Sequence, residues 1–479
     1  MPARPPIVTI LGHVDHGKTT LLDFIRKSRL AEKEFGGITQ KIGAYEIDTA
    51  IKGYKTSRIT FIDTPGHEAF SFLRARGANV ADIALLIIDA KDSVMPQTIE
   101  SISHIKSAKI PFIVVINKVD LPDANPDKVK NDLLKHEVVV EEKGGEVPSI
   151  HISAKTGFGI HELLETILLI SADLRLTFDP NVSPKAYIIE TKKDKRGIVV
   201  SAIIKDGQIK VGDILYADEQ KAKVKQLLND LGRPMNFAQP STPFELLGFT
   251  EMPAVGSLIT DKPTTSLAKV KATPEKMDIM ALLRQPEQKK LSLIIKADSQ
   301  GSLEAISNAL VKRENINVIL KGIGNINKSD VFLAKTTQAI IVGFAVAVQP
   351  EIKDLAKQEK VIIKTYNIIY EMLEELEEVS ELMKEKEAKE KSYKGEAKVL
   401  ATFIIEREKV YGVKITKGKI SLADEVEIYR QNNLIGKTKL VSLKIRAKTV
   451  PEVKKSQEAG MIFSPPLDIG IGDVIKSIS

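Results

Sequence analysis

The sequence predicts a multidomain chain of the α/β-plus-β class, and three features point to it. An apolar run, Ile7 to Leu11, feeds a glycine-bearing loop and then a helical stretch, the opening of a P-loop α/β domain. Past a proline-bearing linker, short β-rich runs alternate with glycine turns, and a related rhythm returns near the chain end. Between these β-rich segments, strands alternate with helices and lead into a long, increasingly polar helix.

Composition sets the frame. The 479 residues exceed what one hydrophobic core holds, so three or four domains are expected. No apolar run is long enough to span a bilayer, and Met1 to Pro6 lack the apolar stretch of a signal peptide. Cysteine is absent, which excludes a disulfide framework and a Cys-ligated metal and suits a cytoplasmic chain. Formal net charge is +7, and residues 394–479 hold 16 Lys/Arg against 10 Asp/Glu. That basic segment fits an anionic partner such as RNA, or a plain surface of solvated lysines.

The first domain carries the chemistry. Gly12-His13-Val14-Asp15-His16-Gly17-Lys18-Thr19 fits the P-loop pattern at each defined position. Glycines let the loop curl so that N–H groups face phosphate oxygens. Asp15, His16, Gly17 and Thr20 are therefore expected to line the phosphates, with Lys18 adding positive charge and the Thr19 hydroxyl ligating Mg²⁺. A second strand ends in Asp63-Thr64-Pro65-Gly66, where Asp63 can hold Mg²⁺ through water and the Gly66 N–H can reach the terminal phosphate.

A third strand leads into Asn117-Lys118-Val119-Asp120. An ionised Asp120 accepts both the ring N–H and the exocyclic amine of guanine, donors that adenine lacks there. Ser153-Ala154-Lys155, after a fourth strand, suits a loop that covers the base. Each motif alone is a strand-end turn; all four in this order predict a guanine nucleotide, GTP or GDP, with Mg²⁺.

Gly36-Gly37-Ile38-Thr39-Gln40 reads as a first switch, in which Thr39 approaches the metal and Gly36 and Gly37 give hinge freedom. His67 follows the Asp63–Gly66 motif and is expected to orient the attacking water; the bland alternative is a switch histidine with no catalytic part.

The P-loop stretch followed by Asp63-Thr64-Pro65-Gly66-His67 resembles the translational GTPases. Gly36 to Tyr45, Arg74-Ala75-Arg76-Gly77-Ala78 and Val94-Met95-Pro96-Gln97-Thr98 are similar to bacterial translation initiation factor 2 and its organellar relatives. The resemblance implies a P-loop GTPase domain, a β-barrel, an α/β/α domain, a long connecting helix and a second β-barrel. It implies that Val14 and Ile38 flank His67 as a hydrophobic gate, and that ribosome contact moves His67 into place. It also implies work on the 30S and 50S ribosomal subunits with formylmethionyl initiator tRNA. The amino-terminal extension of many family members is lacking before Gly12, as in a short natural form or a trimmed chain.

The rest of the chain reads in that order. Domain limits are expected at 1–176 for the GTPase domain, 182–265 for the barrel, 289–366 for the α/β/α domain, 367–393 for the connecting helix and 394–479 for the last barrel. Ala186 to Glu190, Gly197 to Ile204 and Ile209 to Leu215 read as barrel strands. Leu291 to Ala297, Val318 to Leu320, Ala339 to Val342 and Val361 to Ile363 read as strands of the α/β domain, and Ser302 to Val311 as a helix. Met372, Leu373, Leu376, Val379, Leu382 and Met383 give the long helix an early apolar face, beyond which it reads as a polar bridge or a frayed linker.

In the family the last barrel grips the formylmethionyl end of initiator tRNA. The matching framework here is Gly412 to Gly418, Val441 to Lys444 and Glu458 to Gly460, with Lys414, Lys417, Lys444, Arg446 and Lys448 as candidate phosphate contacts. Val413 and Ala459 stand where the family commonly has cysteine, and with Gly460 leave an apolar slot for a methionine side chain. Ile445 and Arg446 replace a further arginine and an aromatic. No membrane partner is expected, and nothing suggests more than a monomer. Two other functions stay open: another translational GTPase, or a nucleotide-gated RNA-binding factor without formylmethionine recognition.

Overall fold

A computed structural model of the chain describes residues 1–27, 39–263, 290–311, 313, 315–391, 393–405, 408–431, 433–446 and 448–478. The first domain is a six-stranded sheet ordered β2-β3-β1-β4-β5-β6. Its strands are β1 (Ile7–Gly12), β2 (Gly43–Asp48), β3 (Arg58–Asp63), β4 (Ile83–Asp89), β5 (Phe112–Asn117) and β6 (Ser149–His151). All neighbours are parallel except the β2–β3 edge pair. The central strands β1 and β4 are buried throughout, which is why they read as mainly apolar runs rather than alternating ones. Helices α1 (Lys18–Arg26), α2 (Ser71–Val80), α3 (Pro96–Ala108), α4 (Pro126–Leu134) and α5 (Ile160–Asp173) connect them. Because β1 lies between β3 and β4, the chain order reverses at its carboxyl end, where open α/β sheets bind ligands.

Next comes a closed antiparallel barrel of six strands. Their order is Ile214–Ala217, Leu258–Thr260, Lys185–Asp194, Gly197–Asp206, Pro243–Phe249 and Gln220–Asn229, the last pairing back to the first. The expected strand from Ile209 to Leu215 is two pieces, because Gly212 turns the backbone at φ +99° between them.

Arg4, Asp82 and Ser241 fasten this barrel to the first domain. Arg4 makes a bidentate pair with Asp82 at 2.6 and 2.7 Å, and Ser241 in the barrel donates to the Pro5 carbonyl at 2.6 Å. The pair is buried on both sides. Burial alone would raise the Asp82 carboxyl, but the Arg4 hydrogen bonds and charge outweigh it and hold its pKa below the usual carboxylate range. Arg4→Ala would leave Asp82 buried with only the Ile7 N–H and the partial help of Lys205, and should destabilise the chain by about 3–5 kcal/mol in denaturant unfolding. With a depressed folded pKa, the pair's contribution is present above the unfolded carboxylate pKa and is lost as pH falls through the folded one. The Arg4→Ala difference should therefore shrink in acid; a difference constant with pH would contradict this.

A parallel sheet of four strands follows, ordered Ile316–Ile323, Leu291–Ala297, Ile340–Phe344 and Ile363–Tyr366. It carries helices α6 (Gln300–Val311), α7 (Lys328–Thr337) and α8 (Pro350–Gln358). Glu190 of the barrel caps α6. Its carboxylate accepts from Gly301 N–H at 3.1 Å and Ser299 hydroxyl at 3.0 Å, and a Cβ on Gly301 would sit 2.6 Å from it. Helix α9 runs Ile369–Lys391. Met372 and Leu376 are buried as its early apolar face predicts, and so is Ile369 at its start, whereas Leu382 is exposed.

The chain splits into two compact units, the second holding residues 375–479. It contains another closed barrel of six strands: Tyr393–Ile405, Val474–Ile478, Glu425–Arg430, Asn433–Ile445, Glu458–Ser464 and Glu408–Ser421, closing on the first. Among the described residues, no helix is long and apolar enough to cross a membrane.

Candidate functional site

The four sequence motifs converge at the carboxyl ends of the parallel strands. The loop after β1 turns through left-handed positions at Asp15 (φ 62°) and Gly17 (φ 90°), and α1 starts at Lys18. Its first N–H groups have no intrahelical partner and so favour an anion there. A Cβ on Gly17 would meet the Asn117 amide nitrogen at 2.3 Å in a left-handed backbone, which favours glycine there, and one on Gly66 would crowd the Lys18 ammonium at 2.4 Å.

Lys18 is buried, and its Nζ donates to the carbonyl of Gly12 at 3.0 Å. Burial pulls its pKa down to about 8, with the nearby Asp63 carboxylate opposing the shift. Thr19 and Thr39 hydroxyls lie 2.8 Å apart, and Thr39 donates to Asp63 at 3.3 Å. Thus α1, the first switch and the end of β3 bring two hydroxyls and one carboxylate together. This all-oxygen set, with a single carboxylate, fits a hard cation that keeps several waters and substrate oxygens, as Mg²⁺ does.

At the other end, Asn117 ties three motifs. Its amide donates to the His16 carbonyl at 2.9 Å and accepts from the Ala154 N–H at 3.0 Å. Lys118 adopts φ 60° and pairs with Asp89 at 2.7 Å. Ser153 and Ala154 are buried, while Asp120 and Lys155 are exposed beside them.

One cleft is lined by Val14, Asp15, Gly17, Lys18, Thr19, Thr20, Thr39, Gly66, His67 and Lys118. Gln40, the last residue of the first-switch motif, also lines it, as do two residues that no sequence motif singled out, Phe70 and Tyr370. Val14 and His67 share that lining; Gly36, Gly37 and Ile38, the hinge and the other gate residue, lie outside the described residues.

His67 hydrogen-bonds through Nδ1 to Tyr370 Oη at 2.5 Å. Burial, reinforced by the Arg74 charge, lowers its pKa to about 4, so the ring is neutral near pH 7. Arg74 is wholly buried: it donates to the Pro65 carbonyl at 2.9 Å and pairs with both Glu100 oxygens at 2.7 and 2.8 Å. Burial would raise Glu100, but hydrogen bonds from His104, Ser71 and Arg74 bring it to about 2. Arg74 therefore braces the Pro65–His67 turn. Its presence in the Arg74–Ala78 motif marked it in the sequence, but nothing local announced that task.

A second cleft opens in the last barrel. It is lined by Leu400, Phe403, Gly412, Val413, Lys444, Arg446, Ala459 and Gly460, among others. Val413 pairs directly with Ala459 across two strands, and Lys444 lies opposite Gly460. The other three candidate contacts stand apart from this lining. Lys414 is opposite Glu458, Lys417 pairs with Glu396 at 3.6 Å, and Lys448 lies opposite Ile445.

Comparison with known proteins gives the chain's relatives. Residues 4–172 match the family of the elongation factor Tu GTP binding domain, 183–262 that of elongation factor G domain 2, and 266–377 that of translation-initiation factor 2. The chain is 43% identical to translation initiation factor IF-2 of Thermotoga sp. over 99% of its own length and 71% of that protein. It is 41% identical to the IF-2 of Anoxybacillus flavithermus over 99% of the chain and 68% of the relative. With the IF-2 of Bartonella tribocorum, also 41% identical, it spans 59% of the relative's length. A crystal structure of GDP-bound aIF5B from Aeropyrum pernix aligns over 100% of this chain and 92% of the other, at 25% identity and a TM-score of 0.47.

Proposed function

The chain belongs to the translation initiation factor IF-2 family and is a translation initiation GTPase that binds guanine nucleotide, and from that premise we propose how its residues divide the work. One observation carries the reading: Asn117 spans from the His16 carbonyl to the Ala154 N–H, so one side chain sets the distance between the phosphate loop and the base loop. Asp15, His16, Gly17, Lys18, Thr19, Thr20 and Gly66 hold the phosphates. Asn117, Lys118, Asp120, Ser153, Ala154 and Lys155 hold the guanine. When bound by Thr19, Thr39 and Asp63, Mg²⁺ supplies charge neutralisation at the outer phosphates. His67 orients the attacking water, with Val14 and Ile38 controlling its approach and Gly36 and Gly37 letting the first switch move.

The last barrel, residues 394–479, holds the acceptor end of initiator tRNA. Val413, Ala459 and Gly460 supply an apolar slot for the formylmethionyl group, and Lys444 and Arg446 lie beside it to meet phosphate. Lys414, Lys417 and Lys448, outside that lining, add positive charge to the same barrel. The connecting helix, expected over 367–393 and observed over Ile369–Lys391, links that barrel to the GTPase domain (1–176), the first barrel (182–265) and the α/β/α domain (289–366). In this scheme the chain acts as a monomer in the cytoplasm. It brings initiator tRNA to the 30S subunit, promotes 50S joining and leaves after hydrolysing GTP to GDP and phosphate.

Guanine specificity gives the direct test. Asp120→Asn should weaken GTP binding on the order of tenfold to several-hundredfold, since each mismatched buried polar group costs about 1–3 kcal/mol. It should also favour xanthosine triphosphate in a competition titration. Unchanged preference for GTP would remove Asp120 from the base site.

A further inference from the structure

Tyr370 stands 303 residues from His67 in sequence yet forms one wall of the phosphate cleft with it. The ring centroids are 3.8 Å apart and tilted by 46°, and the hydroxyl meets Nδ1 at 2.5 Å. The turn that delivers Tyr370 is itself fastened to the first switch. The Gln40 amide donates to the Asn367 carbonyl at 2.9 Å and accepts from the Ile369 N–H at 3.1 Å. Ile369 is fully buried, so the turn has little freedom. Gln40 directly follows Thr39, whose hydroxyl lies between Thr19 and Asp63, and Lys41 pairs with Asp298 ahead of α6. Gln40 of the first switch and His67 thus both end on the same short turn at the start of α9.

We propose that Tyr370 is a positioning residue for GTP hydrolysis: its hydroxyl donates to Nδ1 of His67 and fixes the imidazole as the Nε2–H tautomer against the phosphate cleft, while Gln40 holds the turn that carries it. The inference rests on the reading of His67 as the residue that orients water. With Nδ1 engaged, Nε2 is the one ring nitrogen left to address the cleft. A phenol donates well to a neutral imidazole, and burial beside Arg74 keeps this ring neutral. Tilted contact with the tyrosine ring adds orientation that one hydrogen bond alone would not give.

Tyr370→Phe keeps the ring and removes only the hydroxyl. In the full chain with ribosomal subunits and GTP, the single-turnover hydrolysis rate should fall about tenfold, the effect of one hydrogen bond, with GTP affinity unchanged. In ¹⁵N-histidine spectra of the free chain, His67 should show a bare Nδ1 and a protonated Nε2, and the variant should show a mixture of tautomers. Gln40→Ala, which frees the turn without touching either ring, should move both readouts in the same direction. Added to His67→Ala, Tyr370→Phe should cause no further loss of rate, because the two act as one unit. A wild-type rate in Tyr370→Phe, an unaltered tautomer, or a loss additive with His67→Ala would overturn the assignment while leaving His67 in its role. Normal hydrolysis by His67→Ala itself would remove both.

Discussion

Lys18→Ala is expected to lose on the order of a hundredfold or more in GTP affinity while leaving the fold in place. Lys18 Nζ rests against the Gly12 carbonyl at 3.0 Å, beneath the loop that receives the phosphates. Burial draws its pKa down to about 8 against the pull of Asp63, and a phosphate anion would favour the charged form further. A hydrogen bond from a charged donor contributes about 1.5–3 kcal/mol, so losing two to the outer phosphates gives the stated loss. Alanine is the best helix former, so α1 should persist with its N-terminus intact. Nucleotide titration alongside a thermal melt separates the two effects. Wild-type affinity in a folded variant would contradict the phosphate-loop reading.

The second large effect is His67→Ala. GTP should bind as before, because the loop, the Asn117 tie and the Thr19–Thr39–Asp63 cluster are independent of the imidazole. Ribosome-stimulated hydrolysis should fall by roughly 10²-fold or more, the scale of losing a group that positions a reacting atom. The factor should then remain on the joined ribosome with GTP uncleaved. Rapid-quench measurement of phosphate release gives the answer, and unchanged turnover would defeat the catalytic assignment.

These tests fall where the sequence was most legible, and the reason is physical. The phosphate loop, Asp63, Asn117 and Ser153 each follow an apolar run, and a buried parallel strand has that signature whatever its neighbours are. Both barrels were legible from turn spacing, although their closure depends on pairings such as that of Ile214–Ala217 with Gln220–Asn229, which no local rhythm reveals. β2 went unread because, as an edge strand, it is only partly buried and lacks an apolar run. α7 and α8 went unread because their apolar faces are short: α8 buries only Ile352 and Ala356.

Long-range ties were the least visible. Arg4 with Asp82 and Ser241, Glu190 with Gly301, Gln40 with Asn367 and Tyr370 with His67 join residues from 78 to 327 positions apart. A glutamine, a tyrosine or a serine has no spacing rule that predicts such a partner. The last barrel is intermediate. Val413, Lys444, Arg446, Ala459 and Gly460 meet around one cleft as their motifs suggested, while the side chains of Lys414, Lys417 and Lys448 are not among its lining.

The most direct test of the account compares binding of the full chain to initiator tRNA carrying formylmethionine with binding to the same tRNA carrying methionine. Salt must be held fixed, because phosphate contacts respond steeply to it. The formylated form should be clearly preferred, with Val413 and Ala459 replacing the family's cysteines in the apolar slot. Equal affinity for the two, or no binding of either, would contradict formyl recognition by this barrel.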